Sequence, residues 1–476
     1  MTETLSASPP AAPAAVAAPA APPVSTGPLT VRPGRWIDGW DPENPVQWER
    51  EGRRIAARNL RWSIFAEFLG FVVWQLWSIV VVSLPAAGFA FETGQIFWLI
   101  SIPALVGATL RIPYTFMVPR FGGRNWTIVS AALLLIPATG LAVAVGNPET
   151  PFGVMLAIAA LAGFGGGNFA SSMSNITYFF PQREKGWALG LNAAGGNLGA
   201  SVAQFVVPIA ITIGAAVTLN LPLAGWIWVP FILVAMAGAA LRMDNLSNAK
   251  ADVAASLAAL KEPHLWILAV LYIGTFGSFI GFAGVFPKLI ADQFPDFSTF
   301  QVGSASLQLA FLGALVGSLA RPYGGRLADR FGGTQITMAA FAVMAAGALA
   351  VVWTLPLGNF WLFLGLFLVL FTASGVGNGS TYRMIPTVFA LRAGAHNAHE
   401  SAGDVSSQRK AAAALGIISA VGAYGGFVIP QLLGFSKTTF GDYTTGLSWF
   451  VWAYAVMLAI TGGVYLTLAK RSGHRI

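Results

Sequence analysis

Two arginines stand where arginines are costly. Arg111 lies inside "LVGATLRIPYTF" (105–116) and Arg321 inside "LVGSLARPYGGR" (315–326), stretches otherwise made mostly of apolar and small residues. At the centre of a bilayer an arginine costs at least about 2.5–3.5 kcal/mol, and it stays protonated because its intrinsic pKa lies above about 12. No acidic residue stands at the midpoint of any apolar stretch to neutralise the pair. Buried charges need partners, and two forks of planar donors suit a small trigonal or bent oxyanion. The alternative is that each guanidinium caps carbonyls of a broken helix or snorkels to the nearer membrane face.

Three asparagines extend this set. Asn168, Asn197 and Asn378 sit among glycines in "GFGGGNFASSMSN", "LNAAGGNLGAS" and "ASGVGNGS". An amide at membrane depth must find a partner, and Asn197 is placed to complete a hydrogen-bond shell around a small anion. The glycines themselves fit close helix packing. Glu67, in "SIFAEFLGFVVWQLWS", is the one acidic residue well inside an apolar run. It lies about six residues, roughly 9 Å at 1.5 Å per residue, from the end of its helix. It is the candidate for proton coupling, with pairing to a nearby arginine as the alternative.

Other chemistry is poorly provided for. There is no cysteine, and histidines at 264, 396, 399 and 474 form no ligand cluster, so neither a metal nor a cofactor is expected. No nucleophile, base and orienting acid can be assembled, which argues against an enzyme.

The elements that position these residues are transmembrane helices. Of 476 residues, 55% are hydrophobic and 10% charged, with a mean hydropathy of +0.67; an average soluble domain carries roughly 25% charged residues. Runs long enough to cross about 30 Å of hydrocarbon fall at 62–85, 96–118, 126–145, 152–177, 189–213, 225–242, 264–287, 303–322, 335–355, 359–381, 411–434 and 446–469. All 27 Lys and Arg except Lys288, Lys437 and the two intramembrane arginines lie in the tails or the even-numbered connections. By the positive-inside rule both termini are cytoplasmic. The net charge of +8 is thereby explained without a nucleic-acid partner.

An internal repeat organises the twelve spans. At an offset of 210 residues, "LVGATLRIPYTFMVPRFGG" (105–123) overlies "LVGSLARPYGGRLADRFGG" (315–333), and Gly165, Gly167 and Asn168 overlie Gly375, Gly377 and Asn378. Two six-helix halves related along the membrane normal place a substrate site between them near the midplane. That arrangement is the major facilitator fold: all-α, twelve spans, pseudo-symmetric halves. The chain divides into a disordered Ala/Pro-rich cytoplasmic tail with a pre-helix segment (1–52), an N-terminal half (53–245), a cytoplasmic linker (246–263) and a C-terminal half (264–476) with a cytoplasmic insertion at 391–410. "PRFGGR" and "GGRLADRFGG" resemble the superfamily's cytoplasmic loop motif. The resemblance assigns Arg120, Arg326, Asp329 and Arg330 to gating that latches the outward-facing state. The first copy departs from it, having Pro119 where the second has Asp329.

"GFGGGNFASSMSNITYFFPQREKGWALGLNAAGGNLGAS" (163–201), "LYIGTFGSFIGF" (271–282) and "AAAALGIISAVGAYGGFVIP" (411–430) resemble the signatures of the nitrate/nitrite porter family, NarK-type, of that superfamily. The likeness runs from about Arg53 to the end, apart from parts of the insertion. It implies a multi-pass transporter of the bacterial inner membrane, acting as a monomer on nitrate and nitrite. It further implies that Arg111 and Arg321 clamp the anion, Asn197 hydrogen-bonds it, Phe169 and Phe276 sandwich its plane, and Tyr272 and Ser419 assist. Ordinary packing or lipid-facing roles are the alternative for the aromatics. Two modes stay open: proton-coupled nitrate import, toward which Glu67 tilts the balance, and nitrate/nitrite exchange. A transporter of a larger organic anion is the rival from outside the family.

Overall fold

The computed structural model describes residues 29–213, 219–249, 253–392, 405–472 and 476. Apolar composition makes helices here because a chain in hydrocarbon must satisfy every backbone group within itself. The N-terminal half holds span 1 (Arg53–Val80), span 2 (Thr93–Phe121), span 3 (Gly123–Ala144), span 4 (Phe152–Leu161 continued by Gly163–Phe179), span 5 (Gln182–Thr212) and span 6 (Val229–Arg242). The C-terminal half holds span 7 (Pro263–Gln293), span 8 (Phe311–Phe331), span 9 (Gly333–Thr354), span 10 (Phe360–Arg392), span 11 (Val405–Ala423 continued by Gly425–Phe440) and span 12 (Thr444–Ser472). Eleven helices among the described residues are long and apolar enough to cross a membrane. Span 8 is less apolar because Arg321, Arg326, Asp329 and Arg330 lie on it.

The sequence repeat is a structural repeat. Gly122 and Gly332, 210 residues apart, end spans 2 and 8 with φ of +88° and +98°, a region that only glycine enters without a Cβ penalty. Spans 3 and 9 then start on the next residue, and each runs 22 residues. Within each half the glycines let backbones touch. Gly165 lies against the Gly70 carbonyl and Gly375 against that of Gly317, so a Cβ at either would collide with backbone.

The structure differs from the sequence reading in two places. Span 8 starts at Phe311, not 303, because the polar stretch before it forms a hairpin of two strands, Phe300–Val302 and Ala305–Leu307, turning at Gly303 with φ +63°. The tail also folds earlier than expected. Residues 1–28 lie outside the described set, but Thr30–Arg32 and Trp36–Asp38 pair antiparallel, and the second strand pairs in parallel with Asn245–Leu246. Trp40 and Trp48 are buried there among Ile176, Phe179 and Phe180, and this apolar payload anchors the segment. Residues 393–404, most of the insertion, are likewise outside the described set.

Asp244 ties this N-terminal sheet to the bundle. Its buried carboxylate receives Arg35 Nη2 at 2.7 Å, Arg58 Nη2 at 2.6 Å and Asn59 Nδ2 at 2.9 Å. The terminal face, on which the sheet lies, also holds the span 2–3 turn, since Asn125 N donates to Asn245 Oδ1 at 3.2 Å.

The two halves are hydrogen-bonded from their middle toward the opposite face. Gln431 Nε2 donates to Ser101 Oγ (2.6 Å), Gln204 Nε2 to the Ala283 carbonyl (2.6 Å) and Ser201 Oγ to the Phe311 carbonyl (3.1 Å). The hydroxyls of Thr109 and Tyr424 meet at 2.9 Å.

Candidate functional site

Arg111 is fully buried, and its guanidinium is held from both halves. Nε donates to the Gly166 carbonyl of span 4 at 3.2 Å, a contact opened by the absence of side chains where Gly107 and Gly166 cross. Nη1 donates to both the carbonyl (2.9 Å) and the Oγ (2.8 Å) of Ser419 in span 11. Nη2 is left buried without a partner. Arg321, 6% exposed, donates through Nη2 to the Tyr272 hydroxyl at 3.4 Å, while its Nη1 is buried and unpartnered. No carboxylate lies within 4 Å of either arginine among the described residues.

Two phenylalanines meet beside the guanidinium groups. Phe169 of span 4 and Phe276 of span 7 stack with centroids 6.2 Å apart and planes 26° from parallel. Phe276 stands on a π-helical turn, Ile273–Gly277, which widens the helix locally. The Arg111 guanidinium carbon lies 4.4 Å from the Phe169 centroid and 5.0 Å from that of Phe276, and therefore sits beside the gap between the rings. Arg321 approaches the same Phe169 ring at 5.8 Å. Tyr272 stacks on the Phe276 ring at 5.4 Å and 22°. Aromatic faces partly stabilise each cation, but an uncharged ring cannot neutralise it.

Six of the sequence-predicted residues thus come together: Arg111, Arg321, Phe169, Phe276, Tyr272 and Ser419. Ser419 holds Arg111. Asn197 is buried with neither amide atom partnered. It precedes Ser201 and Gln204 by one and two turns on the span 5 stripe that bonds to the other half, so it faces the seam. The sequence reading missed Tyr382, whose ring lies 5.5 Å from Arg321, and Trp74, 5.7 Å from Arg111. Helical spacing was the available signal, since Tyr382 follows Asn378 by four residues and Trp74 follows Glu67 by seven.

Glu67 belongs to a separate cluster inside the N-terminal half. Its Oε2 accepts from Asn192 Nδ2 at 2.7 Å, the same amide reaches Ser172 Oγ at 2.6 Å, and Ser172 meets Ser63 at 2.9 Å. Oε1 is buried without a partner. No arginine forms an ion pair with Glu67 among the described residues. A cavity of about 10 Å³, room for one water, lies between Glu67, Ser63, Thr127, Ser130, Asn168 and Ser171.

The gating candidates are exposed at the helix ends of the terminal face. Asp329 pairs with Arg383 at 2.5 Å. Arg120, Arg326 and Arg330 lie 5.1–5.7 Å from Phe121, Tyr323 and Phe331. Arg383 also comes within 3.6 Å of where a side chain on Gly186, in the other half, would begin.

The family model of the Major Facilitator Superfamily matches residues 66–430, most of both halves. The chain belongs to the Major Facilitator Superfamily. Its members are multi-pass membrane transporters, not enzymes, and the resemblance read from the motifs is borne out by its relatives. The chain is 43% identical over 446 residues to "Nitrate/nitrite transporter NarU" of Escherichia coli (strain K12), covering 90% of this chain and 95% of that one. It is 37% identical to "Probable nitrate/nitrite antiporter NarK2" of Thermus thermophilus, covering 86% and 92%. A solved bacterial homolog of the human lysosomal transporter Spinster superposes on this superfamily member with a TM-score of 0.59 at 16% identity. That match covers 88% of this chain and 97% of the other and shows the shared fold.

Proposed function

We propose that this protein carries nitrate, and nitrite with it, across the bacterial inner membrane by alternating access of one central site. The observation that carries the reading is the pair of buried arginines, each with one free Nη group and no carboxylate, meeting at a stacked phenylalanine pair. A small oxyanion accepts from both Nη groups, and Asn197 and the Tyr272 hydroxyl supply further hydrogen bonds. The aromatic walls favour a flat ion over a tetrahedral one, so sulfate and phosphate are excluded by shape. The names of the relatives agree with this substrate class.

Under the exchange reading, anion binding also explains why the halves would move only when loaded. Reorienting an empty site would carry two unneutralised charges through a low-dielectric interior, where an unpaired charge is expensive. The basic residues of the terminal face put both termini in the cytoplasm, where Asp329 and Arg383, both of the C-terminal half, pair beside Gly186 of the other half. One chain contains the entire site, so a monomer suffices.

For the driving force, proton-coupled nitrate import is the primary reading, with Glu67 as the proton acceptor. Its buried carboxylate has one oxygen without a hydrogen-bond partner and no direct ion pair among the described residues. Nitrate/nitrite exchange through the same site is the second reading, favoured by the relative named an antiporter. Reconstituted protein separates the two. Import predicts nitrate uptake driven by an inward proton gradient with no internal anion, and loss of that uptake in Glu67→Gln. Uptake only against internal nitrite, unchanged by Glu67→Gln, replaces import with exchange.

A further inference from the structure

Away from the central site, spans 1 and 6 enclose an open groove of about 620 Å³ on the outer surface of the bundle. Arg58, Arg61, Trp62 and Phe65 line it from span 1, at the i, i+3, i+4, i+7 spacing of one helix face. Val234 and Arg242 line it from span 6. The polarity is graded along the groove. Arg242 is the last residue of its span, and Arg58 and Arg61 lie in the opening turns of theirs, so the three cations gather at the terminal face. Trp62, Phe65 and Val234 continue inward along the membrane, and neighbouring Phe231 and Leu233 are 50% and 49% exposed, the pattern of a lipid-facing wall.

Most of the charge there is not spent within the protein: of the three cations only Arg58 has an acidic partner among the described residues. Arg58 gives one Nη to Asp244, yet its Nε is buried without a partner. Arg61 and Arg242 form no ion pair among the described residues, and none of the described residues lining the groove is acidic. Gly238 lets the Trp62 ring lie directly on the span 6 backbone, which makes a fixed aromatic floor.

We propose that this groove binds an anionic phospholipid, its phosphate on Arg58, Arg61 and Arg242 and an acyl chain along Trp62, Phe65 and Val234. A free phosphate matches the arginines but leaves the apolar half unused. A zwitterionic lipid matches the apolar half but brings an ammonium toward three cations. Basic pockets between spans at a membrane face suit anionic headgroups for this reason.

The test is native mass spectrometry of the full-length protein from detergent supplemented with cardiolipin, phosphatidylglycerol or phosphatidylethanolamine. Retention of cardiolipin or phosphatidylglycerol at least tenfold above phosphatidylethanolamine is expected. It should fall about tenfold in Arg61→Gln/Arg242→Gln and largely return in Arg61→Lys/Arg242→Lys. Arg120→Gln/Arg326→Gln, which removes equal charge elsewhere, should retain lipid as the parent does. Equal retention of all three lipids, retention unaffected by Arg61→Gln/Arg242→Gln, or equal loss in both double variants overturns the site. Displacement of the lipid by millimolar inorganic phosphate overturns the lipid as its occupant.

Discussion

Arg111 uses all three nitrogens of a guanidinium: Nε donates to Gly166, Nη1 donates to Ser419, and Nη2 is left free for a ligand. Lysine offers a single ammonium that cannot point in three fixed directions. Arg111→Lys is therefore expected to lower transport roughly a hundredfold, as losing two charge-assisted hydrogen bonds of about 1.5 kcal/mol each requires. Ser419→Ala keeps the Ser419 carbonyl under Nη1, so the loss should be about fivefold and appear mainly in KM. Equal losses in the two variants, measured by radiolabelled or fluorescent nitrate uptake, would refute this division of labour. At this scale the sequence was informative because charge in an apolar stretch is conspicuous: Arg111, Arg321 and Glu67 stood out by type. Tyr382 and Trp74 did not, since an aromatic residue in a membrane helix usually packs or faces lipid, and only the fold shows which ones lie beside a cation.

Spans are placed by backbone contacts at glycine and by a few polar ties. Gly165→Ala puts a methyl group into the Gly70 carbonyl where spans 1 and 4 cross. Overpacking of this kind costs about 1–3 kcal/mol, so a thermal-unfolding midpoint several degrees lower is expected. Gly365→Ala, with open space around it, should leave the midpoint unchanged. Asp244→Ala removes the acceptor of Arg35, Arg58 and Asn59, and should lower stability by roughly 2–3 kcal/mol, less than a fully buried pair because both arginines are partly solvated. Eleven of twelve spans were legible from hydropathy, and the 210-residue repeat located the matching helix ends. Span 8 was misplaced because hydropathy alone cannot separate the hairpin at 300–307 from the helix that follows. The N-terminal sheet was hidden because its partner strand, Asn245–Leu246, lies more than 200 residues away.

At the scale of the whole molecule the halves are closed on the side opposite the termini by Gln431, Gln204 and Ser201. The natural absence of cysteine makes this seam easy to probe. A side chain at Gly284 would begin 3.7 Å from Ile100 and 3.9 Å from Gln75 across the seam, so Gly284→Cys fits and reports closure. Its labelling by a membrane-impermeant thiol reagent should be slow and should quicken five- to tenfold when Gln431→Leu removes the Ser101 bond, worth about 1 kcal/mol. Unchanged labelling would show that this bond does not hold the seam. The central claim, that two arginines from two halves bind one small planar anion, is tested most directly by equilibrium binding to purified protein of nitrate, nitrite, sulfate and phosphate, in parent, Arg111→Lys and Arg321→Lys. Nitrate and nitrite binding that each variant abolishes, with no binding of sulfate or phosphate, is the expected result; nitrate binding retained in both variants, or sulfate bound as tightly as nitrate, would contradict it.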